Sequence, residues 1–182
     1  MTNNISSTPD IDKQNSIESN RHWYAIYVRS RFEKKVHQLF EENKIESSLP
    51  LIKTVRIWSD RKQKVTLPLF RGYIFVHINY RVERFDVLQT DGVVRFVSIG
   101  GEVPKIPEKQ MHWIHMLVDE SDTVRREMNI PVGQKVRVTT GPFKDTEGVV
   151  TRIKNETRLT ILIESIMQAV SVEIDPEYLV KI

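Results

Sequence analysis

The sequence predicts an α+β domain, in which helices flank an antiparallel sheet, followed by a small five-stranded β-barrel. Two observations predict this fold class. Residues 21–118 alternate between strand-like and helix-like apolar spacing, in the order β-α-β-β-α-β-α. Residues 132–182 contain five short alternating segments separated by turns, which is typical of a small barrel. We predict a linker at 119–131 and a disordered tail at 1–20.

The first domain begins with an aromatic and β-branched strand at 22–28, HWYAIYV. The next segment predicts a helix, because Ser30 and Glu33 have the Ser-x-x-Glu spacing of a capping box and apolar residues recur on one face. These apolar residues are Phe32, Val36, Leu39 and Phe40.

Strands broken by a basic turn follow between residues 47 and 78. In the last of them, alternation places Ile74, Val76 and Ile78 on one face and Tyr73, Phe75 and His77 on the other. Two further helices are predicted. The first has Val82, Phe85 and Leu88 facing inward, and the second buries Met111, Ile114, Leu117 and Val118.

Composition indicates a folded protein of the cytoplasm. The 182 residues include no cysteine, and the first twenty contain no apolar run of membrane or signal-peptide length. The net charge of +3 is unevenly distributed, since residues 21–118 hold 17 basic against 10 acidic side chains while both flanking parts carry −2. A basic middle is compatible with ordinary solubility and with binding to a polyanion.

No motif predicts an enzyme or a metal site. His112 and His115 are spaced i, i+3, but neither a cysteine nor an acidic residue completes a ligand set. Phosphate-binding glycine loops and nucleophile elbows are also missing from the sequence. We therefore expect a binding protein without a cofactor.

Four segments resemble the NusG family of transcription elongation factors. They are WYAIYVRSRFEKKV, LPLFRGYIFV, DGVVRFV and VGQKVRVTTGPFKDTEGVV, and the last matches the KOW motif. VRSRFEKKV, WSDRK and LQTDGVVRFV are most similar to the specialised RfaH-like and UpxY-like antiterminators. The chain departs from the family at Arg71, where proline is usual, and at Asp145 and Thr146, which replace glycine and an apolar residue.

The resemblance implies an NGN domain at 21–118, which binds the clamp helices of the largest RNA polymerase subunit, and a KOW domain at 132–182. It implies a polymerase-binding groove and a face toward non-template DNA. The groove residues are Phe70, Tyr73, Trp23 and Tyr24, and the DNA-facing residues are Arg29, Arg31, Lys34 and Lys35. A helix pair in an apolar groove with aromatic anchors is a common recognition mode.

The resemblance further implies that the KOW domain recruits a small-subunit ribosomal protein or Rho, and that its loop displays Phe143 toward the ribosomal partner. It also implies that the protein is a monomer that suppresses pausing and termination. In RfaH the corresponding segment folds as a helical hairpin over the groove. Here β-branched residues at 159–174 favour strands, so we predict a barrel on a mobile linker that leaves the groove open. The alternatives are a free-standing nucleic-acid-binding KOW protein and an enzyme with an unrecognised site.

Overall fold

The protein consists of a mixed α+β domain and a small barrel, and buried residues of both belong to one apolar cluster. The computed structural model describes residues 20–57, 62–119, 124–127, 133–153 and 156–182. The predicted tail lies outside the described residues except for residue 20. Within the described part, no helix is long and apolar enough to cross a membrane.

Three helices and six strands form the part of the first domain that the structure describes. The strands are β1 (His22–Val28), β2 (Ser47–Ser48), β3 (Leu51–Ile57), β4 (Lys62–Pro68), β5 (Tyr73–Ile78) and β6 (Val93–Phe96). The helices are α1 (Glu33–Glu42), α2 (Tyr80–Gln89) and α3 (Glu108–Asp119). An antiparallel sheet has the order β2-β5-β1-β6, and β3 pairs with β4 as a separate hairpin.

The sheet separates two apolar clusters, as the alternation in β5 predicts. Ile74, Val76 and Ile78 pack with residues of α1 in one cluster. Phe75 lies in the other cluster with the buried face of α3. The α+β class is therefore confirmed.

The predicted face of α2 is wrong. Val82 and Phe85 are each 55% exposed, and Leu88 is also exposed, whereas Val87 is buried. The helix start explains this rotation, because Glu83 accepts a hydrogen bond from the Asn79 N–H (2.6 Å) and pairs with Arg21 (2.8 Å). Those contacts hold the side of α2 that carries Glu83 against Arg21, the residue before β1.

The second domain contains the five predicted strands and one more. They are β8 (Gln134–Val138), β9 (Glu147–Ile153), β10 (Glu156–Ile163), β11 (Gln168–Glu173) and β12 (Leu179–Lys181), joined by β7 (Arg125–Glu127) in the order β12-β8-β9-β10-β11-β7. The prediction of strands rather than helices for residues 159–174 is confirmed, because β10 pairs with β11 on either side of a short 3-10 turn at Glu164–Ile166. Of the proposed linker, the structure describes 119 and 124–127, and Arg125–Glu127 form β7 against β11.

The two domains are in contact, so the prediction that the barrel leaves the first domain open is wrong for this structure. Buried residues of both domains form one contiguous cluster, which includes Phe70 and Ile114 of the first domain and Phe143 and Leu159 of the barrel. Lys109 Nζ of α3 also donates to the backbone oxygen of Asp145 in the barrel, at 3.2 Å. Apolar burial in a shared core favours this closed arrangement.

Candidate functional site

The turn at residues 70–73 is fixed from two sides. Gly72 adopts φ +81, which favours glycine, and a Cβ there would lie only 3.0 Å from Cε2 of Tyr27. Its N–H donates to Glu33 Oε1 at 2.8 Å, and its carbonyl oxygen accepts from the Val28 N–H at 2.8 Å. Sheet and helix together therefore hold the turn between β4 and β5.

The capping box predicted for α1 is wrong. The helix begins at Glu33 with Phe32 as the N-cap, and that cap makes no side-chain hydrogen bond. Glu33 is 6% exposed and its carboxylate is directed at Gly72 instead. A carboxylate in the first turn still interacts favourably with the helix dipole, so Glu33 serves both the helix and the turn.

The predicted groove aromatics divide between the two faces of the sheet. Phe70 is 1% exposed and meets the Phe75 ring edge-on at 5.8 Å, while Tyr73 is half-buried at the edge of the same cluster. Trp23 also belongs to this shared cluster and stacks on His77 at 4.9 Å. Tyr24 lies in the opposite cluster, so it does not share a surface with the other three.

Burial raises the pKa of Tyr24 above its usual value, and the neighbouring Tyr80 raises it further. The two rings lie 5.3 Å apart. Tyr24 therefore has the surroundings of a core residue, in contrast to Tyr73 at the edge of the turn.

The four predicted DNA-facing cations also divide into two pairs. Arg29 and Lys35 both contact Asp91, at 3.3 and 2.7 Å. The hydrogen bond from Lys35, followed by the attraction of its charge, lowers the pKa of the Asp91 carboxyl. Asp91 thus offsets part of the positive charge that the sequence suggested for this surface.

Arg31 and Lys34 instead line a cavity of about 770 Å³ beside the turn. Arg71 lines the same cavity, and so do Tyr27 and Glu33. This cavity is bounded by the end of β1, the start of α1, strand β4 and the turn, and all of its lining residues belong to the first domain.

Phe143 is not displayed by the barrel loop, contrary to the prediction, because it is 5% exposed and lies in the shared cluster. In the same loop, Asp145 takes φ +64, the left-handed conformation for which the family's usual glycine is suited. Aspartate tolerates this conformation better than most residues. Thr146 beside it is fully buried.

Sequence reasoning missed the partners that organise these side chains. The Ser-x-x-Glu spacing predicts a helix-capping role for Glu33 and gives no sign of Gly72 as its partner. No local signal connects Asp91 to Lys35 across 56 residues. Arg71 could have been found, because a cation where proline is usual departs from the family pattern.

The fold and this turn together define a class of protein in which a mixed α+β part, with an aromatic turn beside a basic cavity, is followed by a small barrel. A family model described as "Transcription termination factor nusG" matches residues 21–115, and a KOW motif matches residues 132–164. The chain therefore belongs to the NusG family. Members of this family are transcription termination and antitermination factors that generally bind RNA polymerase, and they are not enzymes.

Individual relatives agree with this assignment. The chain is 25% identical over 178 residues to the transcription termination/antitermination protein NusG of Staphylococcus carnosus (strain TM300), covering 89% of this chain and 96% of that protein. The chain is 26% identical over 178 residues to the NusG of Staphylococcus aureus (strain Mu50 / ATCC 700699), again covering 89% of this chain and 96% of that protein. A solved structure described as "Domain interaction in Thermotoga maritima NusG" superposes with a TM-score of 0.55 at 25% identity, covering 91% of this chain and 99% of that one.

Proposed function

We propose that this protein is a specialised antiterminator of the RfaH-like or UpxY-like branch, acting in the cytoplasm as a monomer. Its first domain binds the clamp helices of the largest polymerase subunit, contacts non-template DNA and suppresses pausing. Its barrel recruits a second partner, a small-subunit ribosomal protein or Rho. The observation that carries the proposal is the held turn at 70–73, which joins an apolar cluster to a basic surface.

Two of the predicted anchors are suited to an apolar helix pair. Phe70 and Tyr73 flank Gly72, and the hydrogen bond to Glu33 fixes the turn before any partner arrives. A fixed turn reduces the ordering cost of binding. Rings at the centre of an interface usually contribute most of its free energy.

The closed arrangement adds a condition to this function. Phe70 lies in the cluster that the barrel shares, so a helix pair that packs on Phe70 requires the barrel to move away. Phe143 is buried in the same cluster, so its use by a second partner requires movement of its loop. We infer that polymerase and barrel compete for one apolar surface.

The test is polymerase binding by Tyr73→Ala, with Tyr178→Ala as the matched control because Tyr178 is an exposed tyrosine of the barrel. Loss of a central anchor costs ~2 kcal/mol or more, which is a roughly thirty-fold weaker Kd. The control variant should bind as the wild type does, and circular dichroism should show both variants folded.

A folded Tyr73→Ala protein with unchanged affinity would contradict the assignment of the turn to the polymerase. If polymerase is not recovered at all and the chain instead binds RNA with a steep salt dependence, the alternative of a free-standing nucleic-acid-binding protein is correct.

A further inference from the structure

The ring of His77 lies between two carboxylates that come from different parts of the first domain. Its Nδ1 is 2.7 Å from Oε2 of Glu46, the residue before β2, and its Nε2 is 3.7 Å from Oε1 of Glu108, in the first turn of α3. The ring also stacks on the indole of Trp23 at 4.9 Å. Stacking therefore holds the ring with one nitrogen directed at each carboxylate.

The number of protons on this ring decides how many of the two contacts are attractive. A charged imidazolium has an N–H at both nitrogens, whereas a neutral imidazole has one N–H and one lone pair. Neutral His77 can therefore donate to only one carboxylate, and its other nitrogen presents a lone pair to the second. Because the contact with Glu46 is the shorter one, the remaining proton stays on Nδ1 and the attraction to Glu108 is lost.

The cation next to Glu46 keeps that carboxylate in place in both charge states. Arg21 Nη1 lies 3.6 Å from Glu46 Oε2, and Arg21 Nη2 lies 2.8 Å from Oε1 of Glu83. Glu46 therefore retains a charged partner when His77 is neutral. The side of the ring that faces β2 is the stable side.

The second histidine near the ring does not follow the same rule. His115 of α3 meets the Trp23 ring edge-on at 6.4 Å, and its Nε2 is 2.9 Å from Oγ of Ser48. A hydroxyl both donates and accepts, so this contact can persist in either charge state of His115. Among the described groups around the His77 ring, Glu108 is therefore the one whose attachment depends on the ring's charge.

Glu108 connects this ring to the contact between the domains. Its Oε2 accepts a hydrogen bond from Trp23 Nε1 at 3.1 Å, and the next residue, Lys109, donates to the backbone oxygen of Asp145 in the barrel at 3.2 Å. The Ile106 N–H donates to the Trp23 carbonyl oxygen at 2.8 Å, so the chain just before α3 is attached to β1 independently of any side-chain charge. The first turn of α3 is thus held to the sheet by one side chain and to the barrel by the next.

We propose that His77 is a proton-sensitive latch on the closed arrangement. Histidine changes its charge between about pH 5 and 8. At the acidic end of this range the imidazolium holds Glu108, and the first turn of α3 is fixed where Lys109 reaches the barrel. The attraction is lost as the pH rises, so the barrel separates from the first domain more readily. The inference goes beyond the proposed function, because it concerns the domain contact alone and is tested without polymerase.

The exposure of Glu108 limits the size of the effect. Its side chain is 74% exposed, and an ion pair in such surroundings changes an equilibrium by about two- to five-fold. We therefore expect the ratio of closed to open protein to fall by about two- to five-fold between the acidic and the alkaline end of the range.

The first experiment observes the protons on the ring directly. Long-range proton–nitrogen NMR spectra of the full-length protein distinguish the imidazolium from each neutral form of His77. At about pH 8 the ring should carry its proton on Nδ1, toward Glu46, and at about pH 5 on both nitrogens. A neutral ring with its proton on Nε2 would retain the contact with Glu108 and would overturn the latch.

The second experiment measures the separation of the domains. Because the chain has no cysteine, Glu42→Cys at the end of α1 and Lys181→Cys in β12 provide one dye site in each domain of the full-length protein. Energy transfer between the dyes should decrease as the pH rises. His77→Gln, which has no titrating ring, should abolish this change. His112→Gln, at an exposed histidine of α3, is the matched control and should behave as the wild type does.

Glu108→Gln distinguishes the latch from a purely structural role of the His77 ring. The amide oxygen can still accept from Trp23 Nε1, but it has no charge to attract an imidazolium, so the dependence on pH should also disappear in this variant. Glu108 is exposed, so this variant tests the latch even if His77→Gln does not fold.

The outcomes separate the latch from the proposed function. Energy transfer that does not change with pH in the wild type, or that changes equally in Glu108→Gln, means that the inference is wrong even when polymerase is bound normally. A dependence on pH that disappears in Glu108→Gln and persists in His112→Gln supports the latch, whether or not the protein binds polymerase.

Discussion

Replacing Glu33 tests whether the turn at 70–73 is held from α1. Glu33→Ala leaves the Gly72 N–H without its acceptor at a buried position. A hydrogen bond to a charged group contributes about 1.5–3 kcal/mol, and a carboxylate in the first helical turn adds about 0.3–1 kcal/mol. Alanine recovers a few tenths of a kcal/mol through its higher helix propensity. We therefore expect a net loss of about 2–3 kcal/mol in the free energy of unfolding.

Urea unfolding followed by tryptophan fluorescence is the appropriate assay, because all three tryptophans lie between residues 23 and 113 and report on the first domain. Glu33→Gln retains an acceptor oxygen and should lose only about 1 kcal/mol, the cost of a neutral in place of a charged acceptor. Glu41→Ala is the matched control, since Glu41 lies on the exposed side of the same helix and should change stability by less than ~0.5 kcal/mol. Equal losses for Glu33→Ala and Glu41→Ala would refute the role of Glu33.

Three further predictions concern the turn, the surface ion pair and the domain contact. Gly72→Ala should lower stability by more than the ~1–2 kcal/mol of left-handed strain, because its Cβ meets the Tyr27 ring. Gly101→Ala, also in the first domain and at positive φ, has open space around its Cβ and should show the strain alone in the same urea assay. Equal losses for the two variants would contradict the close contact. The pKa of the Asp91 carboxyl should lie below its usual value of about 3.9 and should rise in Lys35→Ala. The stabilisation from this ion pair is then present above pH ~4 and is lost as the pH falls through the lowered pKa. An NMR titration of Asp91 that shows no difference between the two proteins would refute this. Lys109→Glu should place a carboxylate next to the backbone oxygen of Asp145, and the repulsion between them should separate the barrel from the first domain. The radius of gyration measured by X-ray scattering should then increase. An unchanged radius would mean that this contact does not maintain the closed arrangement.

The sequence by itself determined the elements and the family. Alternation within a strand has a period of two whatever lies around it, so the two faces of β5 could be assigned before the structure. The same logic predicted the buried face of α3 and the strands of the barrel, where β-branched residues and turn glycines agree with the pairing. The four motifs in order were sufficient to identify the family.

Only the tertiary structure decided how these elements face one another. The exposed side of α2 follows from contacts of Glu83 with Asn79 and Arg21, and apolar spacing alone could not select it, because several faces of a short helix contain apolar residues. Segments far apart in sequence come together in the ion pair of Lys35 with Asp91 and around the cavity. The sequence could not predict these contacts, because apolar periodicity describes only neighbouring positions along the chain. The burial of Phe143 in the shared cluster likewise depends on how the barrel packs against the first domain, a contact between surfaces rather than a property of either sequence segment.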